Sequence, residues 1–484
     1  MATGLGGNRV VVVKDPHFRR SQNIGFTIAT ALGLLLCGVV AGCGHRRDQA
    51  AQPAHTDPEE RAYLRLVVAL GERDPDSIDY YYGPEQWVSD IRKNPPTLVR
   101  IRQAALQLVD QLQREQPGVD SNLPQREFLA RQLRAIASRA DLLLGMQQSF
   151  DRETELLFGV RLPLQTDELR LARVRAELAQ LLPGKGDLAQ KYMKYEQTFV
   201  VPQPRLRPVM SRALAGCRDE TLRHVQLPRG EQVTVSYVHN KPWSGFSRYQ
   251  GNFHSAIQVN TDFPRTVDQI LQLACHEGYP GHHVYNSIRE SHLVDNEHMT
   301  RFMAQPTFSP QSLASEAAAT FAVEVAFPWP DRVKFERDVL FPIAGISPSK
   351  AERYGRVEEL VDKLHAAEPP IARDYLDGRL EFVRAEDALA SQVLMAQSEA
   401  TLKYINEYRT YMITYTVGRD MVASVVGEPA DGVTTEAMRW QTYLRLITNL
   451  RPLQEISHQS LLTNRAELDQ GATGTTKVRP AKRM

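Results

Sequence analysis

Five of the chain's 13 histidines fall within one short stretch: His276, His282, His283, His292 and His298. Glu277 follows His276 directly. In zinc peptidases with two histidines one helical turn apart, the histidines hold the metal and an intervening glutamate takes a proton from the water it activates. The spacing here is different, because the second histidine stands six positions after the first. On an undistorted helix six residues turn about 600°, so the two rings would point about 120° apart. His283 returns to the first face but lies roughly 10 Å along the axis, too far for ligand bonds of about 2 Å. Pro280-Gly281 lies between the two histidines. Proline removes a helical hydrogen bond and glycine accepts unusual dihedrals. If that pair loops out, His276, Glu277 and His282 act as the two ligands and the base of a zinc site.

A third protein ligand is needed, with a fourth position left for water. Glu316 is the candidate, within the small-residue run Ser315-Glu316-Ala317-Ala318-Ala319. Small side chains let two helices approach closely enough for a carboxylate to reach the metal. Glu324 is about two turns farther along nearly the same face and is expected to orient a histidine. His283 is expected beside the ligands rather than among them, and His298 is the fallback third ligand. Tyr404, Tyr408, Tyr411 and Tyr415 recur at helical spacing with Arg409 among them. Either Tyr411 or Tyr415 would donate to a tetrahedral oxyanion, and Arg409 would hold a substrate carboxylate. The same spacing equally fits a core-facing aromatic stripe with Arg409 in a structural ion pair.

The elements that must position these groups are mostly helical by periodicity. Phe128, Leu129, Leu133, Ile136, Ala137, Ala140 and Leu144 fall on one face, with start signals at Ser121, Asn122 and Pro124 and a stop at Gly145. Similar patterns cover 98–116, 165–182, 205–226, 349–366, 380–425 and 433–450. Gln232 to Val238 and Phe246 to Asn260 break the pattern. In the second of these, Ser255, Ile257 and Val259 alternate with His254, Ala256, Gln258 and Asn260, which predicts a small hairpin or sheet. That sheet could offer an edge to an extended peptide or simply pair internally. The fold class is therefore mainly α, with a small β element before the metal-binding helix. Residues 59–470 read as one catalytic unit with an N-terminal helical part.

The chain has 484 residues, 42% hydrophobic and 24% charged, with a formal net charge of +1. That balance gives no electrostatic footprint for nucleic acid. Lys14, Arg19 and Arg20 precede an apolar run from Ile24 to Val40, which ends in Val40-Ala41-Gly42-Cys43. Charge, then an apolar run, then small residues is the order of an export signal. Small residues before a cysteine resemble a bacterial lipobox, with Cys43 as the lipidated residue of the mature chain. A transmembrane anchor is the other reading of the run. Residues 1–43 are thus read as a signal, 44–58 as a flexible tether and 471–484 as a disordered tail. Both readings of the run place the protein outside the cytoplasm, in the cell envelope. Cys217 and Cys275 remain in the body. They can form one bridge, but their apolar, helix-like surroundings favour two buried free thiols.

The run His276-Glu277-Gly278-Tyr279-Pro280-Gly281-His282-His283, followed by Glu316 in a small-residue helix, resembles the bacterial Domain of Unknown Function 885 family. That family is similar to gluzincin metallopeptidases, including the carboxypeptidase Taq type. Three further stretches support the resemblance: Asp79 to Pro84, Ile257 to Pro264, and Tyr408 to Gly418. Together they span most of 59–425. Where the family's Glu-Gly pair is expected, this chain has Glu316-Ala317. The resemblance implies a mostly helical gluzincin-like fold, one zinc ion held by His276, His282 and Glu316, and Glu277 as base. The expected activity is peptide-bond hydrolysis, of a carboxypeptidase or dipeptidase kind, by a lipid-anchored envelope enzyme. The alternative is a metal-containing binding lipoprotein of the same fold without turnover.

Overall fold

The computed structural model describes residues 57–114, 123–162, 167–240, 245–427 and 435–459. The expected signal, Cys43, almost all of the expected tether, the start signals at 121–122 and the expected C-terminal tail lie outside these residues. The described residues are 72% helical and 8% strand, a mainly α fold. Among the described residues no helix is long and apolar enough to cross a membrane.

The N-terminal part packs α1 (Pro58–Arg73), α2 (Glu85–Lys93), α3 (Leu98–Arg114) and α4 (Leu123–Leu143) around a core of their own. Helix α1 begins where Asp57 accepts from the Glu59 amide and Pro58 supplies a preset φ. Its Tyr63, Leu64, Val67 and Leu70 recur at helical spacing and are fully buried. On α4 the expected face is buried from Phe128 to Ala140, whereas Leu144 lies past the helix end and is exposed. Strand β1 (Ile78–Tyr81) leaves this part of the chain and pairs antiparallel with β5 (Ala304–Pro306), which joins the N-terminal core to the segment after the motif.

A larger core holds most of the rest. Helices α5 (Phe150–Phe158), α6 (Glu168–Leu181), α7 (Leu188–Glu196) and α8 (Gln203–His224) lead into the sheet. Its strands are β2 (Gln232–Val238), β3 (Gly245–Gly251) and β4 (His254–Asn260), in the order β2-β4-β3. The expected hairpin is β3–β4, antiparallel; β2 joins β4 in parallel, with Val235 opposite Ile257. Ser255, Ile257 and Val259 face inward, as the alternation predicts. Helices α9 (Val267–Glu277), α10 (His282–Arg289) and α11 (Pro310–Ala326) carry the motif and the downstream glutamate. The C-terminal half continues with α12 (Trp329–Phe335), α13 (Phe341–Ala344), α14 (Ala351–Lys363) and α15 (Glu368–Leu376). The pattern over 380–425 is not one helix but three: α16 (Phe382–Gln392), α17 (Ser398–Tyr408) and α18 (Val417–Val426). It breaks where Leu394 and Arg409 adopt positive φ. Helix α19 (Glu436–Ile447) packs against α11 and α18.

Cys217 on α8 and Cys275 on α9 form a disulfide. This corrects the free-thiol expectation. Both sulfurs are buried in apolar surroundings as anticipated, but the facing helices bring the Cα atoms to 5.4 Å, within bridging range.

Candidate metal centre

Helix α9 is buried along nearly its whole length. Thr266 and Gln269 form a reciprocal capping box at its start. It ends at Glu277, because Gly278 takes φ −103 and ψ −101 and leaves helical space. The chain turns through a cis Tyr279–Pro280 peptide and re-enters helix at His282. The break is therefore larger than a looped-out Pro280-Gly281: four residues separate two distinct helices. The Gly281 amide donates to the Cys275 carbonyl at 3.0 Å, and the Tyr285 amide donates to the Gly281 carbonyl at 2.8 Å. Gly281 permits this closure. A Cβ there would sit 2.0 Å from the His276 carbonyl oxygen and 2.4 Å from that of Cys275.

The turn brings the His276 and His282 rings to 4.7 Å between centroids, nearly perpendicular. Glu316 on α11 completes the group. Its Oε2 lies 3.5 Å from His276 Nε2 and 3.4 Å from His282 Nε2. Donor atoms about 2.0–2.1 Å from a tetrahedral zinc lie roughly 3.3 Å apart, so these spacings suit one ion. Both His276 Nε2 and Glu316 Oε2 are buried and lack a hydrogen-bond partner. Two orphaned acceptor-type atoms aimed at one point fit a cation, since a buried polar atom otherwise needs a partner. The carboxyl of Glu316 loses solvation on burial, yet the two facing imidazoles hold its pKa well below the usual carboxylate range. Among the described residues this is the one group of three candidate metal ligands; His298 is not part of it.

Several neighbours fix the geometry. Ser315 Oγ lies 3.3 Å from His282 Nδ1 and directs the ring's other nitrogen toward Glu316. Tyr411 donates to Glu316 Oε1 at 2.8 Å, which leaves Oε2 facing the histidines. The Tyr443 hydroxyl on α19 lies 3.1 Å from the carbonyl oxygens of both Pro280 and Ala318, bridging the turn to α11. Sequence reading missed Tyr443; nothing in its local pattern distinguishes it from a packing tyrosine. His283 bonds Ser255 Oγ and Glu231 at 2.9 Å each. It braces the turn against β4. Glu231 also accepts from Tyr279 at 2.6 Å and from Arg218 at 2.7 Å. Burial would raise its pKa, but these three donors, His283 foremost, pull it down to about 2.

Two expected roles are corrected. Glu324 accepts from Arg419 at 2.7 Å, and Arg419 also pairs with Asp362, so Glu324 orients an arginine rather than a histidine. Arg409 donates to the fully buried Glu153 at 2.7 Å, which also accepts from Thr410. That is the structural ion pair, and it occupies the guanidinium expected to hold a substrate carboxylate. The helical spacing behind the tyrosine stripe ends at Arg409, where φ is +51°. Tyr404 and Tyr408 stack at 4.8 Å, while Tyr415 lies 6.3 Å from the His276 ring. The Tyr415 hydroxyl is buried without a well-formed hydrogen bond, beside that of Tyr404.

Glu277 is fully buried next to His276, in the field of the buried Arg265. A small cavity opens beside it. It is lined by Glu277, His282, Asn286 and Glu316, by Asp79 and Tyr80 of β1, and by Phe246, Ser247 and Tyr249 of β3. Its volume is about 10 Å³, room for about one water molecule. Larger depressions flank the segment 224–231, away from the histidine–glutamate group.

No family model and no curated protein matches the chain. Solved structures similar to it include a candidate lipoprotein from Colwellia psychrerythraea, at 15% identity and TM-score 0.48, over 87% of this chain and 78% of that one. Another is a candidate lipoprotein of unknown function from Shewanella oneidensis, at 13% identity and TM-score 0.43, over 78% of this chain and 76% of that one.

Proposed function

We propose that the chain is a zinc-dependent peptidase of the cell envelope, lipid-anchored through Cys43. The observation that carries the reading is the convergence of His276 Nε2, His282 Nε2 and Glu316 Oε2 at ligand spacing, with Glu277 buried beside them. Those three side chains would hold the ion, which when bound supplies Lewis-acid chemistry toward a carbonyl and lowers the pKa of a water. Glu277, buried beside them and lining the cavity, would accept that water's proton and pass it to the leaving amine. Tyr415 is the better oxyanion donor of the two tyrosines, because Tyr411 is committed to Glu316. Strand β3 ends its sheet, and Phe246, Ser247 and Tyr249 line the cavity, so an extended peptide can pair along that edge. The Cys217–Cys275 bridge suits an oxidising, extracytoplasmic compartment.

The test is a peptide-library digestion by wild type and Glu277→Gln, with the metal content of both measured by mass spectrometry. The expected outcome is about one zinc per chain in each, and cleavage lost by 10³-fold or more in the variant, as removal of an essential base does. Cleavage that survives Glu277→Gln refutes the mechanism. Zinc bound by a wild type that cleaves nothing favours the binding lipoprotein instead.

A further inference from the structure

The cavity has an unusual donor–acceptor balance. Asp79, Glu277 and Glu316 line it, and among the described lining residues there is no lysine or arginine. Asn286 also lines it, and its Oδ1 is buried without a hydrogen-bond partner on a residue only 6% exposed. The guanidinium coupled to Glu277, Arg265, donates to the Asn260 carbonyl and is not part of the lining. Arg409 is committed to Glu153. The cavity thus offers acceptors and negative charge where recognition of a terminal carboxylate would need a cation.

Asp79 is the carboxylate without a metal or base role. It enters from β1 and lines the same cavity as Glu277 and His282. Gln305 donates to its Oδ2 at 2.8 Å, and Gln311 donates in turn to Gln305 at 3.3 Å. This two-glutamine relay, anchored on β5 and α11, fixes the carboxylate's position relative to Glu316 on the same helix.

We propose that Asp79 and Asn286 bind a protonated amine of the substrate, placing it beside the scissile bond. This rests on the peptidase reading and refines it: the preferred substrates carry a free amino terminus next to the cleaved bond, or a lysine side chain in that place. The exopeptidase polarity is then that of an aminopeptidase or dipeptidase rather than a carboxypeptidase.

The experiment compares zinc-loaded wild type and Asp79→Asn on matched peptides. One set has a free amino terminus, one is N-acetylated, and one is N-acetylated with lysine beside the cleaved bond. Asparagine keeps an acceptor for Gln305, and zinc content and melting temperature report whether the fold survives. The expected result is a kcat/KM at least 100-fold lower for N-acetylated peptides with wild type, and a discrimination that shrinks to within a few-fold in Asp79→Asn at unchanged zinc content. Recovery with the lysine peptides, lost again in Asp79→Asn, assigns the amine to the side chain. Equal cleavage of free and blocked peptides by wild type overturns the inference and leaves the peptidase reading intact. A second readout needs no turnover: leucinamide should raise the melting temperature of wild type, N-acetyl-leucinamide should not, and Asp79→Asn should respond to neither. Equal shifts with both amides overturn the inference even if no tested peptide is cleaved.

Discussion

At the scale of single residues, the two tyrosines near the histidine–glutamate group separate by what their hydroxyls touch. Tyr411 donates to Glu316 Oε1, so it positions the proposed ligand. Tyr415 has no such commitment and stands near the His276 ring. Tyr411→Phe is therefore expected to weaken zinc binding by about 10–100-fold, the usual effect of losing a partner of a ligand. Tyr415→Phe is expected to leave zinc binding unchanged and to lower kcat by about 10²-fold, as losing an oxyanion donor does. Competitive chelator titration and steady-state kinetics on both variants check this; reversed effects would exchange the two roles. The grouping of His276, His282 and Glu316 was legible in the sequence because the histidines share one short motif and the glutamate sits in one small-residue helix. Glu324 and Arg409 were not. Helical periodicity places a residue on a face but does not say which distant side chain meets it, and here Arg419 and Glu153 do.

At the scale of elements, the centre depends on α9 stopping at Glu277 and α10 starting at His282. Proline and glycine in the sequence announced a break, but its extent depends on contacts they do not encode: the Gly281 amide on Cys275 and the Tyr443 hydroxyl on Pro280. The same limit hid the β1–β5 pairing, the parallel β2–β4 register and the Cys217–Cys275 bridge, each of which joins segments far apart in the chain. The turn yields a direct prediction. Alanine at position 281 would press its Cβ against two backbone carbonyls, which unlike side chains cannot rotate away. Gly281→Ala is expected to unwind the last turn of α9, destabilise the fold by about 3 kcal/mol as severe overpacking does, and abolish zinc binding. Gly184→Ala, also in a turn but with open space around its missing Cβ, is the comparison; its positive φ makes it mildly destabilising, with zinc binding retained. Full zinc occupancy in Gly281→Ala would mean that the closure between α9 and α10 is not what aligns the imidazoles.

At the scale of the whole molecule, buried ionisable groups packed against α9 are expected to make folding depend on pH. Glu196 ends α7 and accepts from Gln269, the same residue that caps α9. It is 6% exposed. Burial, with Asp268 adding to it, outweighs the Gln269 hydrogen bond and raises its pKa from 4.5 to about 7. A carboxyl whose folded pKa is raised favours the folded state in its protonated form. The stability it contributes is complete below its unfolded pKa and is lost as pH rises through the folded one. The shift corresponds to roughly 3 kcal/mol, at about 1.4 kcal/mol per pKa unit, lost mostly between pH 5 and 8. Glu336 has its pKa raised in the same direction by burial next to Asp268, so wild type carries more than one such slope. Glu196→Gln isolates one of them, because its amide oxygen still accepts from Gln269 while nothing titrates. In urea unfolding the variant should match wild type near pH 5 and exceed it by roughly 3 kcal/mol near pH 8. Glu231 and Glu316 have lowered pKa values and act with the opposite sign in more acidic solution, outside this window. Parallel stability curves for the two proteins from pH 5 to 8 would show that Glu196 is ionised in the folded chain throughout, and that Gln269 binds a carboxylate rather than a carboxylic acid.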